Sequence, residues 1–191
     1  MGKDMIKLGL NLLIISAVAA LLLALTNSVT AGTIAERSEQ ANAEARKLVL
    51  ESAETFEEVK DAKLDNSTGV EVAEIFEAKD ASGNTVGYTL KVLPSGYGGA
   101  IELMVGIDSA NSQVSGINVV SNSETAGLGA KSTDPEFSDQ YKGKPLEALS
   151  VLKNGTPSDT EIKAISGATI TSTAVTNGVD AAIEVYNNSL K

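Results

Sequence analysis

The sequence predicts an α+β protein in which a single N-terminal transmembrane helix and a stalk helix precede an antiparallel-sheet domain closed by a C-terminal helix. An uncharged apolar run of eighteen residues lies near the N-terminus. Apolar and polar residues alternate with a period of two in the middle of the chain, which favours strands. The final residues place apolar side chains three and four positions apart, which is typical of a helix that packs on one side.

The first element is the apolar run Leu8–Leu25, LGLNLLIISAVAALLLAL. As a helix it would be about 27 Å long, close to the thickness of one hydrocarbon core. The competing interpretation is a cleaved signal peptide, whose apolar core is usually shorter, about 7–15 residues. We expect residues 1–32 to form a single-pass membrane anchor. Because Lys3 and Lys7 precede the run, the positive-inside rule predicts a cytoplasmic N-terminus and an extracytoplasmic domain.

Residues 33–60 are predicted to form the stalk helix. They are rich in Ala, Glu, Arg and Leu and contain neither Gly nor Pro. Their less polar positions fall along one stripe of a helix: Ile34, Ala41, Leu48, Ser52 and Phe56. The remaining residues, 61–191, then make up the globular domain.

The globular domain is predicted to begin with an antiparallel meander. Four strands with polar turns between them are expected: 69–78, 86–93, 100–107 and 114–120. Short helical segments are expected around Phe137–Tyr141 and Pro145–Leu152. The closing helix is predicted over Ser172–Leu190, with one apolar face: Val175, Val179, Ala182, Ile183, Tyr186 and Leu190.

The composition excludes several kinds of site. The chain has 191 residues, a formal charge of −10, and neither cysteine nor histidine. Its negative charge would repel the phosphates of nucleic acid, so no nucleic-acid partner is expected. Disulfides, thiolate zinc sites, cysteine-ligated clusters and serine–histidine hydrolases are all excluded. A carboxylate calcium site stays possible, although no loop has EF-hand spacing, and no metal site is predicted. Any redox centre must therefore be an organic cofactor.

Two glycine-marked loops are candidate ligand sites. The loop Pro94–Gly99, PSGYGG, permits a ligand to approach the backbone closely, but taken alone the loop favours a flexible connection between strands. Tyr97 within it could stack on a planar ring or cover the sheet edge. The loop Ser123–Lys131, SETAGLGAK, could close a tight turn and present backbone amides to an anion or a ring. A single G-x-G is weak evidence for a dinucleotide site.

The stretch Ile165–Val175, ISGATITSTAV, places five hydroxyls within eight residues at the predicted start of the closing helix: Ser166, Thr169, Thr171, Ser172 and Thr173. A helix cap needs one of them, and Thr171 or Ser172 could supply it. The others lie where the helix dipole and free N–H groups favour a phosphate. The absence of a P-loop lysine disfavours nucleotide hydrolysis. From spacing alone, the stretch indicates a phosphate-containing ligand, whether covalent or not.

The stretch SGATITSTAVTNGV also resembles the S(T)GAT signature of FMN-binding subunits of bacterial membrane electron-transport complexes. These are the G subunit of the Rnf complex and the C subunit of the sodium-translocating NADH:quinone reductase. In that family the last threonine of the motif, Thr169 in this sequence, carries FMN through a phosphoester bond formed by a dedicated flavin transferase. The family's E-T-P-G-L-G loop is similar to Glu124–Gly129, and its G-Y-G-G loop matches Gly96–Gly99.

Two positions depart from the family pattern. Ala126 stands where the family usually has proline, and neither Lys163 nor Ala164 supplies the acidic residue often found shortly before SGAT. The length of the chain favours the Rnf-type subunit. The resemblance covers most of the chain, including the anchor and the closing helix.

The resemblance implies an electron-relay subunit of a membrane-bound, ion-translocating Rnf-type ferredoxin:NAD oxidoreductase, with covalent FMN and no catalytic residue of its own. Its implied partners are the other membrane and peripheral subunits of the complex and the flavin transferase. A membrane-anchored flavin sensor, the equivalent quinone-reductase subunit and a colourless extracytoplasmic adaptor are the alternatives. The implied phosphate site comprises Thr169 with its neighbours Ser166, Gly167, Ala168, Thr171 and Ser172. The implied ring site comprises Tyr97, Gly98, Gly99, Glu124, Thr125, Gly127, Leu128 and Gly129.

Overall fold

The computed structural model describes residues 2–60 and 62–191, which fall into two compact units that divide between Ala41 and Asn42. Helix α1, Gly2–Val49, contains the predicted apolar run. Among the described residues, it is the one helix long and apolar enough to cross a membrane. The predicted order of a long apolar helix, an antiparallel sheet and a closing helix is confirmed.

The predicted extent of the stalk helix is wrong, because α1 ends at Val49 rather than at Lys60. The predicted apolar stripe is not a packing face: Ile34 and Leu48 are each 61 % exposed. The helix instead buries Asn42, Ala45, Arg46 and Val49 against the sheet domain. The Val49 carbonyl, left without a partner where the helix ends, accepts a hydrogen bond from the Ser115 hydroxyl. Tertiary contacts thus end the helix where its composition would have allowed it to continue.

A five-stranded antiparallel sheet follows, with its strands in chain order. Its strands are β1 (Thr55–Glu58), β2 (Glu71–Lys79), β3 (Thr85–Leu93), β4 (Glu102–Asp108) and β5 (Gln113–Ser121). The last four confirm the predicted meander to within two residues. Strand β1 lies inside the predicted stalk helix and pairs along the edge of β2. That pairing supplies backbone hydrogen bonds that a short helical extension would have had to make locally.

The segment after the meander contains both a confirmed and a wrong prediction. The predicted helical turns at Phe137–Tyr141 are present as α2 (Pro135–Ser138) and a 3₁₀ turn at Asp139–Tyr141. The predicted helix at Pro145–Leu152 is wrong, because Ser150–Leu152 forms strand β6, paired in parallel with β7 (Glu161–Lys163). Partners eleven positions apart along the chain, such as Ser150 and Glu161, leave no local signal of this pairing.

Helix α3, Thr169–Ser189, packs across one face of the sheet and closes the core. It begins three residues before the predicted Ser172. The predicted apolar face is confirmed, since Val175, Val179, Ala182, Ile183 and Tyr186 are buried. Burying each such valine or isoleucine contributes about 1.5–3 kcal/mol. This packing fixes the first turn of α3 at one end of the sheet, beside the loops that follow β3 and β5.

Asp180 makes stability depend on pH. Burial and, to a smaller extent, the charge of the nearby Glu184 raise the pKa of this carboxyl to about 6, although the Leu149 N–H donates to it at 2.9 Å and opposes the shift. Because the folded pKa lies above the ordinary value of 3.8, the stabilising contribution is complete below pH 3.8 and is lost as the pH rises through 6.

We therefore expect Asp180→Asn, which keeps the acceptor for Leu149, to raise the melting temperature at pH 8 and to leave it nearly unchanged at pH 3.8. Thermal unfolding of both proteins at the two pH values measures the difference. Equal stabilisation by Asp180→Asn at both pH values would show that the negative charge of Asp180 does not destabilise the folded protein.

Candidate functional site

The first turn of α3 is the centre of the site. Its N-cap residue is Ala168, and within the described part of the chain no side chain accepts a hydrogen bond from the N–H groups of this turn. The prediction that Thr171 or Ser172 caps the helix is therefore wrong. Those N–H groups also have no partner within the helix, so they can receive an anion, and the helix dipole favours it there.

Both predicted caps are instead used in contacts inside the fold. The Ser172 hydroxyl, which is fully buried, donates to the Ala168 carbonyl and accepts from the Ile165 N–H, each at 2.9 Å. The Thr171 hydroxyl donates to the Glu124 carboxylate at 2.6 Å. Both hydroxyl protons are therefore already used. Neither hydroxyl can donate to a ligand phosphate, contrary to the expectation from the sequence.

Thr169 is the hydroxyl residue of this stretch that stays available at the site. Its side chain is half-buried, and within the described residues its hydroxyl forms no hydrogen bond. Ser166 faces a separate cavity of about 320 Å³ beside α2. Thr173 is exposed and does not line the site. The structure thus singles out Thr169 from five candidates by its position and its free oxygen.

Thr169 lines a pocket of about 520 Å³ where three segments meet. The lining residues are Tyr97, Glu124, Thr125, Leu128, Gly129, Gly167, Ala168, Thr169, Ile170 and Thr171. Nine of the predicted site residues are therefore brought together. Gly98, Gly99, Gly127, Ser166 and Ser172 were also predicted but do not line the pocket.

Ile170 is the lining residue that sequence reasoning missed. It is 58 % exposed, immediately after Thr169 in the first turn of α3. The sequence offered one signal for it: Ile170 is apolar, does not belong to the predicted apolar face of the closing helix, and follows Thr169 directly. With Tyr97, 72 % exposed, and Leu128, 43 % exposed, it gives the pocket an apolar rim. Such a rim suits a flat, apolar group next to an anion at the helix terminus.

Glu124 connects the three segments at the base of this arrangement. One carboxylate oxygen accepts the Gly98 N–H at 2.9 Å, and the other accepts the Thr171 hydroxyl. Burial tends to raise the pKa of Glu124, but hydrogen bonds from Thr171, Gly98 and Tyr97 outweigh it and lower the pKa below its ordinary value. Glu124 is therefore a carboxylate at neutral pH.

The glycines around Glu124 serve close packing at Gly98 and Gly129 and the predicted tight turn at Gly127. A side chain on Gly129 would meet the Glu124 carboxylate and, at 2.6 Å, the Thr171 hydroxyl oxygen. A side chain on Gly98 would meet the Ser123 carbonyl. These positions are small because segments of the protein approach each other there. Gly127, with φ +77°, is the third residue of a turn closed by the Leu128 N–H and the Thr125 carbonyl at 3.1 Å. A positive φ at that position is the requirement of a type II turn, in which Ala126 stands where proline is common.

Chemically, the site can hold an anion at the start of α3 beside a free hydroxyl and a planar group against the apolar rim. Within the described residues, no group of three or more acidic side chains could hold a metal ion.

Comparisons with known proteins agree with this geometry. The family model described as "FMN-binding domain" matches residues 96–184, and that described as "RnfG N-terminal region" matches residues 1–49. The G subunit of the Na(+)-translocating ferredoxin:NAD(+) oxidoreductase complex of Acetobacterium woodii is 46 % identical over 99 % of this chain and 95 % of its own. The G subunit of the ion-translocating oxidoreductase complex of Methanosarcina acetivorans is 38 % identical over 96 % of this chain and 95 % of its own.

Two solved structures share the fold. NqrC of Shewanella oneidensis is 26 % identical and superposes with a TM-score of 0.54, covering 60 % of this chain and 58 % of its own. The C subunit of the Na(+)-translocating NADH-quinone reductase of Parabacteroides distasonis, 22 % identical, has a TM-score of 0.55 and covers 80 % of this chain and 93 % of its own.

Proposed function

The chain belongs to the family of G subunits of ion-translocating oxidoreductase complexes, and from that premise we propose that it relays electrons through FMN bound covalently to Thr169. As a member of the family it is a membrane-associated electron-transfer subunit with an FMN-binding domain, and the other subunits of the complex are its partners. The finer proposal is an Rnf-type complex that couples ferredoxin and NAD, as the name of the Acetobacterium woodii relative states for that protein.

One observation carries the proposal: Thr169 lies inside the pocket at the N-terminus of α3, where neither its hydroxyl nor the N–H groups of the first turn have a side-chain partner among the residues that the structure describes. The volume of about 520 Å³ lies within the usual range of ligand pockets, about 300–1,000 Å³. Tyr97, Leu128 and Ile170 would hold the ring system of FMN, and the N–H groups of the first turn would hold its phosphate. When bound, FMN supplies a group that accepts and releases electrons.

Attachment requires a second protein. In the proposed step, the Thr169 oxygen forms a bond to phosphorus of an activated flavin nucleotide, while the bond from phosphorus to the leaving group breaks. The hydroxyl proton needs a base, and the carboxylate of Glu124 is already engaged by two donors and has a lowered pKa. A flavin transferase would therefore supply the base and the activated nucleotide, whereas this chain supplies the oxygen. The product is a diester with one negative charge, which the helix dipole stabilises.

Purification of the complex from its native membrane tests the relay function. A tag on this chain should recover the other subunits, and reduced ferredoxin should reduce the flavin, with NAD⁺ reoxidising it. In a complex that carries Thr169→Ala, electron transfer from ferredoxin to NAD⁺ should be lost although assembly is retained. Recovery of a flavin-bearing chain without other subunits would indicate a sensor, and recovery of a colourless chain would indicate an adaptor. Reoxidation of the flavin by quinone but not by NAD⁺ would indicate the quinone-reductase type. Each of these results would refute the proposal.

We also propose that the sheet domain is extracytoplasmic, because Lys3 and Lys7 precede the apolar run. The chain has no cysteine, so a single cysteine can report exposure. Ser82→Cys, in the exposed turn between β2 and β3, should react with a membrane-impermeant maleimide in intact cells. Labelling that occurs only after lysis would reverse the orientation.

A further inference from the structure

Glu124 holds together the three segments that form the pocket. Its carboxylate accepts the backbone N–H of Gly98 in the loop after β3 and the hydroxyl of Thr171 in the first turn of α3. Glu124 itself belongs to the loop after β5. A single side chain therefore fixes the spacing between two loops and the helix turn that carries Thr169.

The surrounding backbone is shaped to this carboxylate. A side chain added at Gly96 or Gly129 would collide with a Glu124 carboxylate oxygen. Thr171, 1 % exposed, and Gly129 are buried, so bulk water cannot easily replace the contact between Thr171 and Glu124, whereas Gly98 is exposed. A residue of different length or shape at position 124 would leave the buried Thr171 hydroxyl without its acceptor, which is costly.

The carboxylate also determines the charge of the pocket. Among the described residues that line the pocket, Glu124 has the only charged side chain. Its charge lies beside the third residue of α3, where a negative group is favourable to the helix. A negative charge beside a bound flavin opposes the addition of electrons, because reduction increases the negative charge in the pocket.

We propose that Glu124 is a positioning residue that sets the geometry of the flavin pocket through Gly98 and Thr171, and that its negative charge lowers the reduction potential of the bound flavin. This inference rests on the proposed function, because it takes FMN as the ligand of the pocket. It assigns to Glu124 contacts with protein groups, whereas the sequence had suggested a contact with the ring.

Two substitutions separate the two roles in the full-length chain, coexpressed with the transferase and purified in detergent. Glu124→Gln keeps the length of the side chain but removes the charge; its amide oxygen can still accept the Gly98 N–H, while its NH2 group donates to the Thr171 hydroxyl oxygen instead of accepting from it. We expect an unchanged visible flavin spectrum and a higher midpoint potential, with the reduction equilibrium shifted about tenfold toward the reduced flavin for an effective dielectric constant of about 20. Glu124→Asp keeps the charge but is one methylene too short to reach both partners, so the visible spectrum should change.

Glu57→Gln is the matched control, since it removes the same charge from β1, which contributes no residue to the pocket. Its potential and spectrum should equal those of the wild type. A Glu124→Gln potential equal to the wild-type value would overturn the electrostatic role, and an unchanged Glu124→Asp spectrum would overturn the positioning role. If either variant fails to melt cooperatively, Thr171→Val replaces it in the test, because it removes one hydrogen-bond partner of Glu124 and keeps the carboxylate. An unchanged flavin spectrum in Thr171→Val would then overturn the positioning role. A wild-type chain without flavin would instead refute the proposed function.

Discussion

Thr169→Ala is expected to abolish covalent flavin completely. The substitution removes the oxygen proposed to form the ester, and the hydroxyls of Thr171 and Ser172 in the same helix turn are already committed to Glu124 and to the Ala168 carbonyl. Stability should change by no more than about 0.5 kcal/mol, because the Thr169 side chain neither caps α3 nor forms a hydrogen bond within the described residues. On a denaturing gel under ultraviolet light, the wild-type chain should fluoresce and the variant should be dark.

Thr173→Ala is the control for this experiment, because Thr173 is an exposed hydroxyl residue of the same turn that does not line the pocket. It should fluoresce as strongly as the wild type. Fluorescence of Thr169→Ala, or its loss in Thr173→Ala, would place the attachment at a different residue.

Gly129→Val should have the second largest effect, on both stability and the site. The first atom of any side chain there would lie 2.6 Å from the Thr171 hydroxyl oxygen and in collision with the Glu124 carboxylate, at a buried position. Overpacking of this kind typically costs about 1–3 kcal/mol, and the lost hydrogen bond adds about 1–3 kcal/mol more. Chemical denaturation should therefore give a free energy of unfolding that is lower by several kcal/mol.

Ala126→Val is the comparison for Gly129→Val, because Ala126 belongs to the same loop but is exposed. We expect it to change the free energy of unfolding by less than about 0.5 kcal/mol. A Gly129→Val protein as stable as this control would mean that the Glu124 contacts are not maintained in solution.

The parts of the fold that the sequence predicts correctly are those with local signals. Strands β2 to β5 each pair with a neighbour in the chain, across short polar turns or, between β3 and β4, across the glycine-marked loop that begins at Pro94, so alternation and turn residues were sufficient. Helix α3 has an uninterrupted apolar face, and Val175 and Val179 on it are fully buried. Glycine patterns and the SGAT resemblance likewise identified the three segments that meet at the pocket.

The parts that the sequence did not predict depend on distant partners. Strand β1 forms because Thr55–Glu58 pairs with residues more than fifteen positions away, and its Glu-rich sequence alone favours a helix. Thr171 does not cap α3 because Glu124, 47 positions earlier, accepts its hydroxyl. Gly129 has no room for a side chain because Glu124 and Thr171 approach it closely. In each case the deciding group is brought close by the fold, and no spacing along the chain records it.

The most direct measurement of the central claim is the intact mass of the full-length chain purified from cells that also express the flavin transferase, followed by fragmentation across residues 164–175. Covalent attachment of FMN to Thr169 should increase the mass by one FMN less one water, with the added mass localised to Thr169. An unmodified mass, or flavin localised to another residue, would contradict it.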